Sequence, residues 1–256
     1  VPAPSITYTA LPDIPLVAPG DDVAAIVIDG LKRAQITLAD DDIIVIAQKI
    51  VSKAENRYVN LADVTPSKEA HRLAAIVGKD PRHVETVLRE SLEVVKCRQN
   101  VMIVAHRLGF VMANAGIDES NIDHGEDGAR VLLLPADPDG ACAAIKNRLD
   151  REFGVSAGVI INDSFGRAWR NGVVGVALGA AGICSLESMI GAPDLFGRAL
   201  RITEIAIADE LAAGASLLMG QGKEGRPVIH VRGFKSAAPA KPAAALVRPK
   251  QLDMFR

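Results

Sequence analysis

A carboxylate and a hydroxyl stand side by side at Asp163-Ser164, in the stretch VSAGVIINDSFGRAWRNG over residues 155–172. Val159, Ile160 and Ile161 read as a buried strand. A strand that ends in Asp-Ser delivers both groups to the rim of a sheet, where open sheets place their ligands. Arg167, Arg170 and the only tryptophan of the chain, Trp169, follow at once. Guanidinium groups beside a carboxylate suit the handling of phosphate around a hard metal ion. The alternative is a strand, a tight turn and a solvated face; the density of chemically capable side chains in one turn favours function.

Three further clusters carry candidate chemistry. ANAGIDESN, residues 113–121, puts Asp118, Glu119 and Asn121 on a loop leaving a strand. Asp118 and Asp163, from different strand ends, could meet at one Mg²⁺ or Mn²⁺, since such ions prefer carboxylate, hydroxyl and water oxygens; equally, Asp118 could cap a turn. QKIVSKAE, residues 48–55, follows an apolar strand, and lysines leaving a strand end can neutralise a transferring phosphoryl group. Taken alone, that segment is an ordinary charged exit from a strand. GQGKEGRP, residues 220–227, has glycine-rich backbone able to approach phosphates. It is not a Walker A loop: no Lys-Ser/Thr pair follows, and it ends a helix instead of starting one. A plain helix-to-strand turn is the simpler reading of it.

The elements that position these groups are legible in outline. Residues 21–33 are amphipathic, with Val23, Ile26, Val27 and Leu31 at helical spacing. Residues 43–46 (IIVI) read as a buried strand. A helix is predicted from Thr65 as cap and Pro66 as first residue to Gly78, a second from Asp80-Pro81, and a third from Asp137-Pro138 to Gly154. Residues 102–113 read as a hairpin turning at 106–109, residues 131–134 as a strand, residues 204–219 as an alanine-rich helix and residues 228–231 as a strand. The segment SAAPAKPAAA, residues 236–245, reads as a loose surface tail. Irregular alternation with a hairpin predicts an α+β fold with mixed β-sheets and flanking helices.

Composition narrows the function classes. With 256 residues the chain can bury a sizeable core, and its apolar and charged fractions, 49% and 23%, are those of an ordinary globular protein. A net charge of −2 without a basic stripe argues against a nucleic-acid partner. No apolar run is long enough to span a bilayer. Cys97, Cys142 and Cys184 are scattered and read as free core thiols of a reducing compartment. The opening residues lack a basic region followed by an apolar core, so a cytoplasmic protein is expected. No GxGxxG opens a helix after a strand, no HExxH occurs, and the five histidines do not cluster, which ranks dinucleotide oxidoreductases, zinc hydrolases and serine acyl transfer low.

Five segments, in this order, resemble the coenzyme F-420:L-glutamate ligase family: LPDIPLVAPGDD at 11–22, QKIVSKAENR at 48–57, GFVMANAGIDESN at 109–121, NDSFGRAWRNG at 162–172 and MGQGKEGRPVIHVRGF at 219–234. The resemblance implies a gamma-glutamyl ligase domain over residues 1–235, built as two interleaved lobes around a cleft in an intertwined homodimer, followed by the tail at 236–256. It implies that GTP and Mg²⁺ or Mn²⁺ activate the terminal carboxylate of a deazaflavin precursor as an acyl phosphate, which the amine of L-glutamate then attacks. By motif, Asp118 and Asp163 correspond to shared metal ligands, with Ser164 and Gln221 at a second ion. Gln48, Lys53 and Asn121 correspond to nucleotide contacts. Ile14, Pro15, Leu16 and Val17, with the loop containing Gly220, Gln221, Gly222 and Gly225, would wrap the guanine nucleotide. Arg167 and Arg170 are added as groups that steady phosphate charge, a physical argument and not a family assignment. Members commonly carry threonine where Ser164 stands, which keeps the hydroxyl but loses β-branched rigidity. Alternatives are the same ligase chemistry on another small carboxylic acid, or a guanine-nucleotide-binding protein without ligase activity.

Overall fold

The computed structural model describes residues 3–125 and 129–254. Along them the chain forms β1 (Thr7–Ala10), α1 (Val23–Arg33), β2 (Ile43–Ala47), α2 (Gln48–Ala54), β3 (Tyr58–Asn60), α3 (Lys68–Val77) and α4 (Pro81–Arg89). Next come β4 (Ser91–Arg98), β5 (Val101–His106), β6 (Val111–Ala113), β7 (Arg130–Leu132), α5 (Pro138–Phe153), β8 (Gly158–Arg167) and β9 (Arg170–Ala181). The last elements are β10 (Glu187–Ser188), β11 (Glu204–Ile205), α6 (Ile207–Met219) and β12 (Val228–Arg232). The fold is α+β with mixed sheets, as the sequence predicts.

A five-stranded sheet in the order β1-β12-β2-β8-β9 organises the core. Only β2 and β8 run parallel; the other pairings are antiparallel. The period-two alternation of IIVIA sends Ile44 and Ile46 into a core with α1 and α5, and Ile43 and Val45 into a core with α6. Both faces are thereby covered, which is why the strand reads as an unbroken apolar run. A separate cluster packs α3 and α4 on Met102 and Val104 of the three-stranded sheet β4-β5-β6.

Caps fix the helix starts. Asp22 accepts from Ala25 N at 3.1 Å, Asp80 from Arg82 N at 2.8 Å and Asp137 from Gly140 N at 3.0 Å, satisfying first-turn donors. Gly78 and Gly154 end α3 and α5 in the left-handed conformation, at φ 68° in each case.

Several sequence expectations change. α3 starts at Lys68 with Ser67 as its cap, not at Thr65-Pro66, because the Ser67 hydroxyl accepts from Ala70 N while its own N–H donates to Glu85 on α4. The charged exit at 48–54 is the helix α2. The strand expected at 131–134 is β7, and α6 begins at Ile207 because Glu204 and Ile205 pair with Ser188 and Glu187. β4 and β9 were not foreseen, and Cys97, expected as a core thiol, is half-buried on β4. The tail is not loose: Ala243 is fully buried, and the backbone N–H groups of Ala243 and Ala244 donate to the Asp139 carboxylate at 2.8 and 3.2 Å. No helix among the described residues is long and apolar enough to cross a membrane.

Candidate active site

The Asp-Ser pair does not end a strand. β8 continues through Asp163 and Ser164 to Arg167, paired throughout with β9. Its other neighbour stops first: the β2 register ends at Ala47↔Asn162, where α2 begins. Asp163 and Ser164 therefore occupy the notch beyond the carboxyl ends of the parallel pair, the position where α/β sheets open a crevice. A bulge marks the place. Ile161 faces Gly179 and Asn162 faces Ala177, leaving Leu178 as the extra residue. The bulge inverts the alternation of β9, so a Cβ on Gly175 would sit 2.5 Å from Ala212 O of α6 and one on Gly179 2.3 Å from Pro138 O of α5. These two glycines let both helices approach the strand backbone.

A cavity of about 540 Å³ opens at this notch. All eleven residues expected to bind nucleotide line it: Ile14, Pro15, Leu16, Val17, Gln48, Lys53, Asn121, Gly220, Gln221, Gly222 and Gly225. Asp163, Ser164, Lys49 and Asp123 line it as well. Tyr58 and Ser216 complete the wall without any signal in their local sequence; they reach it only because β3 and α6 pack there.

α2 organises the charges. Ser52 donates to Gln48 Oε1 at 2.8 Å, one helical turn away, which fixes the Gln48 amide so that its Nε2 donates to Asp118 Oδ2 at 2.5 Å. Lys49 Nζ lies 2.7 Å from Asp118 Oδ1. Asp118 joins the site through these two lining residues. Its backbone is held by a bridge to Leu132, after a left-handed turn in which Asn114, Ala115 and Gly116 have φ of 49°, 54° and 65°. Two consecutive non-glycine residues in that region are costly, the kind of strain that persists where a loop must be aimed.

Burial pushes the Asp118 carboxyl up, against the pull of Lys49 and Gln48. Asp163 is pushed up to about 7, by burial first and by the Asp118 charge second. Burial and neighbouring Lys49 push Lys53 down. The raised Asp163 shows two carboxylates sharing one poorly solvated space. Gln221 Nε2 donates to Ser164 Oγ at 2.9 Å. Among the described residues no three His, Cys, Asp or Glu side chains form a metal cage. The donors at hand are all oxygen: two carboxylates, a hydroxyl and an amide carbonyl. That set fits a hard divalent cation completing its shell with water and substrate phosphate.

Arg167 and Arg170 do not join this arrangement. They flank the exposed Ala168-Trp169 turn at the tip of the β8–β9 hairpin, outside the cavity lining. The Gly220–Pro227 segment is a helix-to-strand turn, tied to the Asp118 loop by the hydrogen bond from Asn121 Nδ2 to Gly222 O at 3.0 Å.

Comparison with known proteins gives the family. The family model described as F420-0:Gamma-glutamyl ligase matches residues 13–233. The chain is 44% identical over 256 residues to the coenzyme F420:L-glutamate ligase of Methanothermobacter thermautotrophicus, covering 98% of this chain and 99% of that protein. It is 44% identical over 223 residues to the ligase of the same name from Methanocaldococcus jannaschii (87% and 88% covered) and 41% identical over 258 residues to that of Methanopyrus kandleri (99% and 98% covered). The matched span contains every strand and helix that borders the cavity, from the Ile14–Val17 segment to β12, and on these grounds the chain belongs to the F420-0:gamma-glutamyl ligase family.

Proposed function

We propose that this chain is a GTP- and divalent-cation-dependent ligase that joins L-glutamate to the terminal carboxylate of a deazaflavin precursor of coenzyme F420. The observation that carries this reading is one cavity whose wall combines the Asp163 carboxylate, Lys49 and Lys53 and a glycine-rich loop, with Asp118 bonded to the lining residues Gln48 and Lys49, inside the family-matched span. A carboxylate oxygen of the acceptor attacks the γ-phosphorus of GTP, the bond to GDP breaks, and an acyl phosphate forms. The glutamate amine nitrogen then attacks the acyl carbon, the bond to phosphate breaks, and the amine proton passes to water.

Such a reaction needs charge neutralisation and alignment more than an acid–base pair. Lys49 and Lys53 offer positive charge at the cavity wall. The backbone of Gly220–Gly225 can come close to the nucleotide, and the apolar Ile14–Val17 wall can cover its base. Asp118, Asp163, Ser164 and Gln221 are the residues that would hold Mg²⁺ or Mn²⁺, which draws charge from the phosphoryl oxygens when bound. We place the protein in the cytoplasm as a two-lobed, intertwined homodimer. Exposed Leu195, Phe196, Ile202 and Trp169 give such a dimer apolar surface to cover.

The test is to incubate the chain with GTP, Mg²⁺ or Mn²⁺, L-glutamate and the deazaflavin precursor without glutamate, reading product by mass spectrometry and phosphate by colorimetry. A product heavier by one glutamyl unit, with one phosphate per product and loss of both on chelation, is expected. Product formation only with a different carboxylic acid would replace the acceptor. Bound GDP without product from any acid would leave a nucleotide-binding protein.

A further inference from the structure

A second cavity, of about 350 Å³, lies next to the first along the chain, and the two share one segment as wall. Asn121, Ile122 and Asp123 line the first; Glu119 and His124 line the second. The rest of the second cavity is Lys79, Asp80 and His83 from the α3–α4 junction, Arg130 of β7, and an apolar floor that includes Leu61 and Val131. Its volume is at the lower end for ligand pockets, too tight for a nucleotide or a deazaflavin.

The charges there are unevenly committed. The Asp80 carboxylate is occupied, accepting from Arg82 N at 2.8 Å and from the Arg82 guanidinium at 2.6 Å. Lys79 has no ion pair among the described residues, and Arg130 reaches only Asp123, at 3.6 Å. His83 is 4% exposed; its Nε2 lies 3.1 Å from Glu119 Oε1 and its Nδ1 has no partner among the described residues. Burial, reinforced by Lys79, pushes the His83 pKa down, against the pull of Glu119 and Asp80. The cavity thus offers two cations to carboxylates, the Glu119 carboxylate to an ammonium, and an apolar floor to a short methylene chain.

We infer that this second cavity binds the free amino acid, L-glutamate, with Lys79 and Arg130 as its carboxylate partners and Glu119, held against His83, facing its ammonium. The inference rests on the ligase reading, since glutamate is that reaction's small zwitterionic substrate. The shared wall explains why a site for the amine lies beside the cavity where the acyl phosphate forms.

The experiment uses Lys79→Met and Arg130→Gln. L-glutamate binding is measured by titration calorimetry in the presence of GDP and Mg²⁺, together with the KM for glutamate, GTP and acceptor. Each variant should raise the glutamate Kd and KM by about tenfold or more, the worth of a charge-assisted hydrogen bond, with the other KM values and Tm unchanged. Ligation with an unchanged glutamate KM in both variants overturns the inference and leaves the ligase reading intact, as does an equal rise in all three KM values. Glutamate binding that depends on Lys79, without product, supports the cavity and removes the ligase reading. Wild-type protein that neither binds nor ligates glutamate overturns both.

Discussion

Asn121 Nδ2 donates to Gly222 O at 3.0 Å, joining two loops that are 101 residues apart in sequence. One loop carries Asp118 and the other lies beside Ser164 through Gln221. Asn121 itself has φ 55°, a conformation that asparagine tolerates better than most side chains. The bond ties two segments of the cavity wall, since Asn121 and Gly222 both line it. Asn121→Ala should weaken GDP binding by about three- to tenfold, the loss of one hydrogen bond, with Tm little changed because the bond is exposed. Fluorescent-nucleotide titration and a melting curve check both parts.

Asp163→Asn removes the charge whose burial beside Asp118 raises its pKa. Turnover should fall by at least about a hundredfold, because an amide replaces a carboxylate at the proposed cation position. The fold should persist, since Asn is isosteric and relieves a desolvated charge. Steady-state phosphate release and near-ultraviolet circular dichroism report the two outcomes; full activity in this variant would remove Asp163 from the mechanism.

Glu90 provides a pH-dependent stability. Its carboxylate meets Arg57 and Arg107 at 3.1 Å and His106 at 3.5 Å, and these partners, His106 foremost, hold its pKa at about 2. The folded value lies below the unfolded one, so the unfolded state binds the proton more readily. The stabilisation is therefore full above about pH 4.5 and is lost as pH falls through about 2. Glu90→Gln should cost about 3 kcal/mol at pH 7 and flatten the acid limb of the stability curve. Urea melts of both proteins from pH 2.5 to 7 measure this.

The Asp139 carboxylate accepts from three backbone N–H groups, those of Ala180, Ala243 and Ala244. It binds the tail to β9 and to the start of α5. Asp139→Ala should cost about 1–3 kcal/mol and leave buried donors without a partner. Limited proteolysis should then cut the tail between residues 236 and 250 well before the rest of the chain. Equal cleavage rates in variant and wild type would show that the tail is held by other contacts.

Much of the scaffold was legible from local chemistry. Asp80 and Asp137 cap helices as their Asp-Pro starts predict, because a carboxylate two or three residues ahead of free N–H groups needs no distant partner. Gly78 and Gly154 stop them for an equally local reason. The apolar runs at 43–46 and 159–161 announced two buried strands, since strands covered on both faces have no polar alternation to confuse the reading; their parallel pairing came only from the fold. The five ordered motifs identified the family, and the residues expected from them to contact a nucleotide line one cavity.

What the sequence could not give was set by partners far away along the chain. β8 continues past Asp163 because β9 supplies hydrogen bonds to it, and nothing in NDSFGR specifies that pairing. Residues 48–54 coil into α2 at the end of β2, which places Gln48 and Lys49 on Asp118, about seventy positions away. The alanine- and proline-rich tail reads as solvent-loving, yet Asp139 pins it to the core through backbone donors, for which side-chain composition gives no signal. Arg167 and Arg170 looked catalytic by proximity in sequence; the hairpin carries them away from the cavity. The sequence by itself determined the Asp-Pro caps, the buried strands and the family, because these depend on residue type and near neighbours. Only the tertiary structure decided which carboxylates share one desolvated space, because electrostatic coupling depends on distance in space and on burial, and neither is a local property of the chain.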